Sequence, residues 1–269
     1  MENKKESTDI SVIIPVHEFN DDTKTSFAEA IKSIEGQIVK PDEVVIVAPK
    51  NTDTIEYIKN HDYGSIKNII KIVENEASTD FQTQFNLGVK NAKSNWVSLL
   101  EFDDVYAGIW FKNVIEYRKA YPEFEMFLPI VIDVDTKFNF LSLMNEALWA
   151  QQFSDKLGVL DNNAIQMYPN FSIDGAVIKK SVIEEFGGLK ANVKLTFIYE
   201  FFLRLTYKAV NIMTIPRFGY RHTNHRPESL FDNYKKTLDP VESKFWYAQA
   251  KKESYFQNDR KITYTAKNE

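Results

Sequence analysis

Residues 81–104 read FQTQFNLGVKNAKSNWVSLLEFDD, and this one stretch holds a helix pattern, a turn, a buried run and an acidic end. Phe81, Phe85, Gly88, Val89 and Ala92 fall at i, i+4, i+7, i+8 and i+11, so the spacing predicts a helix from about Phe81 to Ala92 with one face against a sheet. NWVSLL (95–100) lacks the alternation of a half-exposed strand and predicts a strand covered on both faces. Glu101, Phe102, Asp103 and Asp104 then place three carboxylates within four positions at its end. Like charges at that spacing repel and resist burial, so the cluster calls for a cation, a set of backbone donors or open water.

The same alternation extends upstream. ISVIIPV (10–16), a helix from about Thr23 to Ile38, EVVIV (43–47), a helix near 54–60 and NIIKIV (68–73) follow one another. Near-continuous apolar strands separated by helices indicate an α/β fold with a parallel sheet flanked by helices. In such a sheet, ligands bind beyond the carboxyl ends of the strands, which gathers the loops VHEFNDD, APKNTD and EFDDVY into one crevice.

Downstream, IWFKNVIEYRKAYPE predicts a helix ended by Pro122, and FLPIVIDV a further strand. Residues 136–170 read as irregular. NFSIDGAVIKKSVIEEFGG reads as a strand with Gly175 inside it, a helix and a Gly-Gly stop. Ile198, Phe201, Phe202 and Leu205 give TFIYEFFLRLTYKAV a buried helical face. A strand near NIMTIP, the loop RFGYRHTNHRPESL and a polar, aromatic-bearing tail close the chain.

Composition narrows the classes. The 269 residues carry a formal charge of -5, with 43% hydrophobic and 26% charged residues, as in ordinary globular proteins, and no global basic field to attract nucleic acid. Without cysteine, disulfides and thiolate metal sites are excluded, and any metal must sit on oxygen or imidazole. The polar start MENKKESTD and the strand-length apolar runs lead us to expect a cytoplasmic protein, soluble or peripheral, without a transmembrane segment.

Several segments in order resemble the family 2 glycosyltransferases of the GT-A fold: SVIIPVHEFN, AIKSIEGQIVKPDEVVIV, NTD (51–53), FNLGVKNAKSNWVSLLEFDD, Gly187-Gly188, the FFLRL helix and the YRH…S loop. The resemblance covers about residues 9–230. It implies a Rossmann-like, mixed but mostly parallel sheet in one domain over 1–230, with a donor half to about 110 and an acceptor half beyond it, followed by a helical tail over 231–269. It implies transfer of a sugar, with inversion, from a nucleotide-diphosphate sugar, a UDP-sugar favoured, to a hydroxyl of a glycan, lipid-linked glycan, protein or modified base. Pro15, Val16, His17, Asp53, Asn86, Asp103 and Arg221 would line the donor site. Asp103, Asp104 and His222 would hold Mn2+ or Mg2+, with His225, Arg221 and Arg226 in the same loop. A hard cation on carboxylates and phosphates neutralises the diphosphate leaving group as a Lewis acid.

The proton of the acceptor hydroxyl needs a base. Six residues before Arg204, where the resemblance implies one, stands Ile198. Glu200 is the nearest carboxylate, although Glu200 and Arg204 also form an ordinary i, i+4 pair, and Asp174 stands in reserve. Ala48-Pro49-Lys50 likewise replaces the acidic pair that receives uracil. These departures motivate an alternative, a degenerate relative that binds a nucleotide sugar or glycan without turnover. A nucleotidyltransferase is disfavoured, because HEFNDD is neither Gly-rich nor basic.

Overall fold

Four strands, β1 (Ile10–Pro15), β2 (Glu43–Pro49), β3 (Ile70–Asn75) and β4 (Trp96–Leu99), lie parallel in the spatial order β3-β2-β1-β4. The computed structural model describes residues 7–17, 19–50, 52–76, 80–152 and 156–224, together with 226, 229, 236, 244, 245, 247 and 248. Every residue of β1, β2 and β4 is buried, which is why these runs are apolar throughout instead of alternating.

Helices cover both faces. α1 (Asp21–Glu35) starts at a reciprocal cap, in which the Thr23 amide donates to Asn20 Oδ1 (2.9 Å) and the Asn20 amide to Thr23 Oγ1 (2.7 Å). α2 (Asp53–Asn60) is capped by Thr52 and α3 (Phe81–Asn91) by Asp80. α3 packs so closely on the sheet that a Cβ at Gly88 would lie 2.3 Å from Ile13 Cγ2, so the glycine in its stripe is there for contact.

The second half continues the sheet in mixed fashion. It comprises β5 (Val105–Tyr106), α4 (Trp110–Ala120), β6 (Met126–Val134), β7 (Phe140–Met144), β8 (Val159–Leu160), α5 (Asn162–Met167), β9 (Val177–Lys179), α6 (Lys180–Phe186), α7 (Phe197–Tyr207) and β10 (Ile212–Thr223). The main path runs β3-β2-β1-β4-β9-β6-β10-β5, with β7 on β6 and β8 on β10. β1 to β4, β6 and β10 share one direction and the other strands oppose it, giving the mixed, mostly parallel sheet. Trp110, Phe111 and Phe27 centre the core on one face, and Phe85, Phe201 and Phe202 the core on the other.

Three expectations differ from the structure. Residues 136–170 contain β7, β8, α5 and a 3-10 turn at Glu146–Trp149, elements too short to show periodicity. Gly175 lies in the turn before β9 at φ 70°, where a Cβ would come within 2.6 Å of Tyr220 Cδ2. Arg221 and His222 sit on β10 and not in a loop. Pro216 and Gly219 give PRFGYRHT a loop-like composition, but β6 pairs with it, and register shifts at Thr214/Phe218 and Phe218/Tyr220 absorb the irregularity. The expected tail over 231–269 falls almost wholly outside the described residues, as does His225. No helix among the described residues is long and apolar enough to cross a membrane.

Candidate active site

At the acidic end of β4 Asp104 is buried and Glu101 and Asp103 are half-buried, and the sheet explains how that is tolerated. β10 brings Tyr220 and His222 alongside β5, so their side chains meet the chain emerging from β4. The Glu101 amide donates to Tyr220 Oη at 2.9 Å. Asp104, 1% exposed, accepts from the Thr223 amide on Oδ1 (2.7 Å), while its Oδ2 lies 2.9 Å from His222 Nδ1. Asp103 accepts from Arg226 Nε at 2.6 Å. Backbone donors and cationic side chains therefore meet part of the need stated by the three carboxylates.

They do not meet all of it. Asp174, in the turn ahead of Gly175, accepts from Ser172 Oγ on Oδ2 at 2.6 Å, yet its buried Oδ1 has no hydrogen-bond partner. Glu101, Asp174 and His222 each offer one ligand atom, and these atoms lie within 4.8 Å of one another. Burial, then the charges of Asp174 and Asp104, hold the Glu101 carboxyl well above the usual range. Burial also raises Asp104 to about 6 against the opposing pull of His222. Burial disfavours charge on His222, but Asp104 and then Asp174 and Glu101 outweigh it and raise the imidazole well above its ordinary value. Two oxygens and an imidazole nitrogen, one oxygen orphaned and the charges mutually repelling, fit a hard divalent cation. Asp104 engages Nδ1 of His222, a carboxylate–histidine pair of the kind that orients metal-binding imidazoles.

The donor-side residues surround this cluster unevenly. Pro15 ends β1, and the Val16 amide donates to the Val47 carbonyl at 2.8 Å. His17 stacks edge-on against Phe102 at 4.9 Å; burial, with Arg226 next in weight, lowers its pKa to about 4 and leaves it neutral at pH 7. Arg226 lies over the same Phe102 ring, 5.1 Å from its centroid. Asp53 is exposed at the start of α2. Arg221 stacks on Phe138 at 4.6 Å, approaches Glu29 at 3.8 Å and keeps a buried, unpartnered Nε.

Asn86 and Glu200 belong to a different constellation. Asn86 Nδ2 donates to the Leu189 carbonyl (2.7 Å) and its Oδ1 accepts from the Leu189 amide (2.9 Å). Glu200 is fully buried. It accepts from Arg204 Nε and Nη2 at 2.9 and 2.8 Å and pairs with Lys190 at 3.2 Å. Arg204 in turn donates to the carbonyls of Phe186, Gly187 and Gly188. Asn86 and the Glu200–Arg204 pair thus brace the same turn from two elements, apart from the cluster of Glu101, Asp174 and His222 among the described residues.

Two participants carried little sequence signal. Glu101 read only as one of three carboxylates within four positions, and Tyr220 as one tyrosine of thirteen. Their roles come from the β10–β5 pairing, which the loop-like composition of that segment hid.

The sequence signature of glycosyl transferase family 2 matches residues 11–186. No curated protein matches the sequence. Among solved structures, the chain is similar to residues 1–349 of S. aureus TarS, with TM-score 0.61 and 15% identity over 80% of this chain and 60% of that one. The TarS complex with UDP-GlcNAc gives TM-score 0.63 at 15% identity, over 81% of this chain and 59% of that one. The complex with UDP gives 0.60 at 15% identity, over 90% and 70%. At that identity the likeness speaks for the fold, and the chain spans 60% of the length of the TarS fragment.

Proposed function

The chain belongs to glycosyl transferase family 2, and on that premise we propose that it moves a sugar from a nucleotide-diphosphate sugar to a hydroxyl acceptor with the help of a divalent cation. The observation that carries the reading is the convergence of Glu101, Asp174 and His222, with an orphaned carboxylate oxygen, at the carboxyl end of β4. Bound there, Mn2+ or Mg2+ would neutralise the diphosphate as it departs. Glu101, Asp174 and His222 would hold it, and Asp104 would fix the imidazole. Asp174, the reserve base of the sequence reading, is thereby proposed as a ligand.

Asp103, held by Arg226, retains lone pairs to accept a ribose hydroxyl. His17, neutral and seated on Phe102, lines the diphosphate side without adding charge, together with Pro15 and Val16. Arg221, next to His222 on β10, projects from the opposite face and stacks on Phe138, so its role as a cation toward the phosphates rests on the resemblance alone. Asp53 and the Ala48-Pro49-Lys50 segment would border the base. A UDP-sugar is favoured because TarS, similar in fold, has been crystallised with UDP and UDP-GlcNAc. Inversion, and action in the cytoplasm or at a membrane surface on a glycan, lipid-linked glycan, protein or modified base, complete the proposal.

A second reading, binding without turnover, draws on one observation. Glu200 has both oxygens committed to cations, so the carboxylate nearest the family's base position is occupied. The two readings separate by calorimetric titration of UDP and GDP, with and without Mn2+, followed by assay of UDP-GlcNAc breakdown. Metal-dependent UDP binding with turnover is the expected result. Binding without turnover would favour the second reading, and no nucleotide binding would overturn the first and leave the second only as glycan binding.

A further inference from the structure

With Glu200 locked and Asp174 in the cation cluster, the proton of the acceptor hydroxyl still needs a destination. Asp133 on β6 is 6% exposed, and its Oδ2 accepts from Ser142 Oγ on β7 (3.2 Å) and Asn224 Nδ2 (3.1 Å). Its Oδ1 is buried without a hydrogen-bond partner. Buried carboxylate oxygens are costly to leave unpaired, and those that persist in native structures mark an absent donor.

The sheet places this oxygen in relation to the site. Asp133 pairs with His222 on β10 and with Ser142 on β7, and register partners on neighbouring strands share a face. His222, Asp133 and Ser142 therefore form a polar row across three strands that begins at the cation cluster. The register shift on β6 and β7 falls between Asp133 and Val134, an irregularity of the kind that re-aims side chains beside active sites.

We infer that Asp133 binds the acceptor hydroxyl and takes its proton, an inference that rests on the glycosyltransferase reading above. The acceptor oxygen forms its bond to the anomeric carbon as its proton passes to Asp133 Oδ1. The electron pair of the anomeric C–O bond leaves with the nucleoside diphosphate. Ser142 and Asn224 hold the carboxylate by its other oxygen, so the free one points in a single direction.

The test uses the full chain, UDP with Mn2+ as the binding probe, and UDP-GlcNAc hydrolysis, with water as the acceptor, as the rate. Asp133→Asn should leave the UDP affinity within about twofold of wild type and lower hydrolysis at least about 100-fold. Ser142→Ala, which keeps the carboxylate, should lower the rate by less than about tenfold. Hydrolysis at the wild-type rate in Asp133→Asn overturns the inference, as does a parallel loss of UDP affinity and rate, which would mark a structural anchor. Wild-type protein that binds UDP but releases none from UDP-GlcNAc also overturns it. Failure of the wild type to bind UDP at all falls instead on the donor reading.

Discussion

Glu200 and Asp174 are both buried carboxylates with a cationic side chain at hand, and Asp174 shares its place with the half-buried Glu101, yet their oxygens are treated in opposite ways. Glu200 has a bidentate arginine and a lysine, and the arginine spends its remaining donors on three backbone carbonyls. Asp174 and Glu101 share a single imidazole with Asp104, and one Asp174 oxygen has no partner. A satisfied buried ion pair holds structure and loses heavily if one partner is removed. An unsatisfied group of like charges marks a place where something else must bind. The difference teaches that satisfaction, more than burial or position in a motif, separates a carboxylate that braces a turn from one that serves a site.

The sharpest way to break this comparison is Glu200→Ala. It leaves Arg204 buried without its counter-ion and should cost about 3–5 kcal/mol. That corresponds to a melting temperature lower by roughly 6–20 °C, readable by differential scanning calorimetry, while UDP affinity of the folded fraction stays unchanged. Next, Asp174→Asn should weaken Mn2+ binding by at least about 100-fold without lowering the melting temperature, since it relieves like-charge repulsion. Manganese EPR titration checks the affinity, and an equal loss of stability would erase the contrast with Glu200. Asn86→Ala removes two hydrogen bonds to Leu189 and should cost about 1–3 kcal/mol, seen as a lower denaturation midpoint in urea.

The smallest effect sharpens the electrostatic side. Glu101, Asp104 and His222 all have folded pKa values raised above their ordinary ones, so the metal-free folded state holds more protons than the unfolded chain. Stability from this cluster therefore declines as pH rises, from near 4 through about 6 for Asp104 and beyond 6.5 for His222. The metal-free melting temperature should fall on the order of 5 °C between pH 5.5 and 8. Added Mn2+ should restore it more strongly at pH 8, because the cation replaces the protons. A metal-free melting temperature that rises over this interval would contradict the assignment.

Much of the donor-side half was legible because its signals are local. Phe81, Phe85, Gly88 and Val89 mark α3 by period, and ISVIIPV and EVVIV mark β1 and β2 by unbroken apolarity. The far half was less legible. β7, β8 and β9 are two to five residues long, and β10 carries Pro216 and Gly219, so composition argued for loops where pairing with β6 imposes strand. Glu200 and Arg204 at i, i+4 announced an ion pair, but not that the pair is buried.

The sequence alone determined the α/β alternation, the presence of carboxylates at the end of β4 and the family resemblance, because periodicity and motif order are properties of neighbours along the chain. Which carboxylates are satisfied was decided only by the tertiary structure. Asp104 meets His222 across 118 positions, and Asp133 lies beside Ser142 and Asn224 through strand register. Hydrogen bonding and desolvation depend on distance in space, and no local pattern encodes which oxygen will be left without a donor.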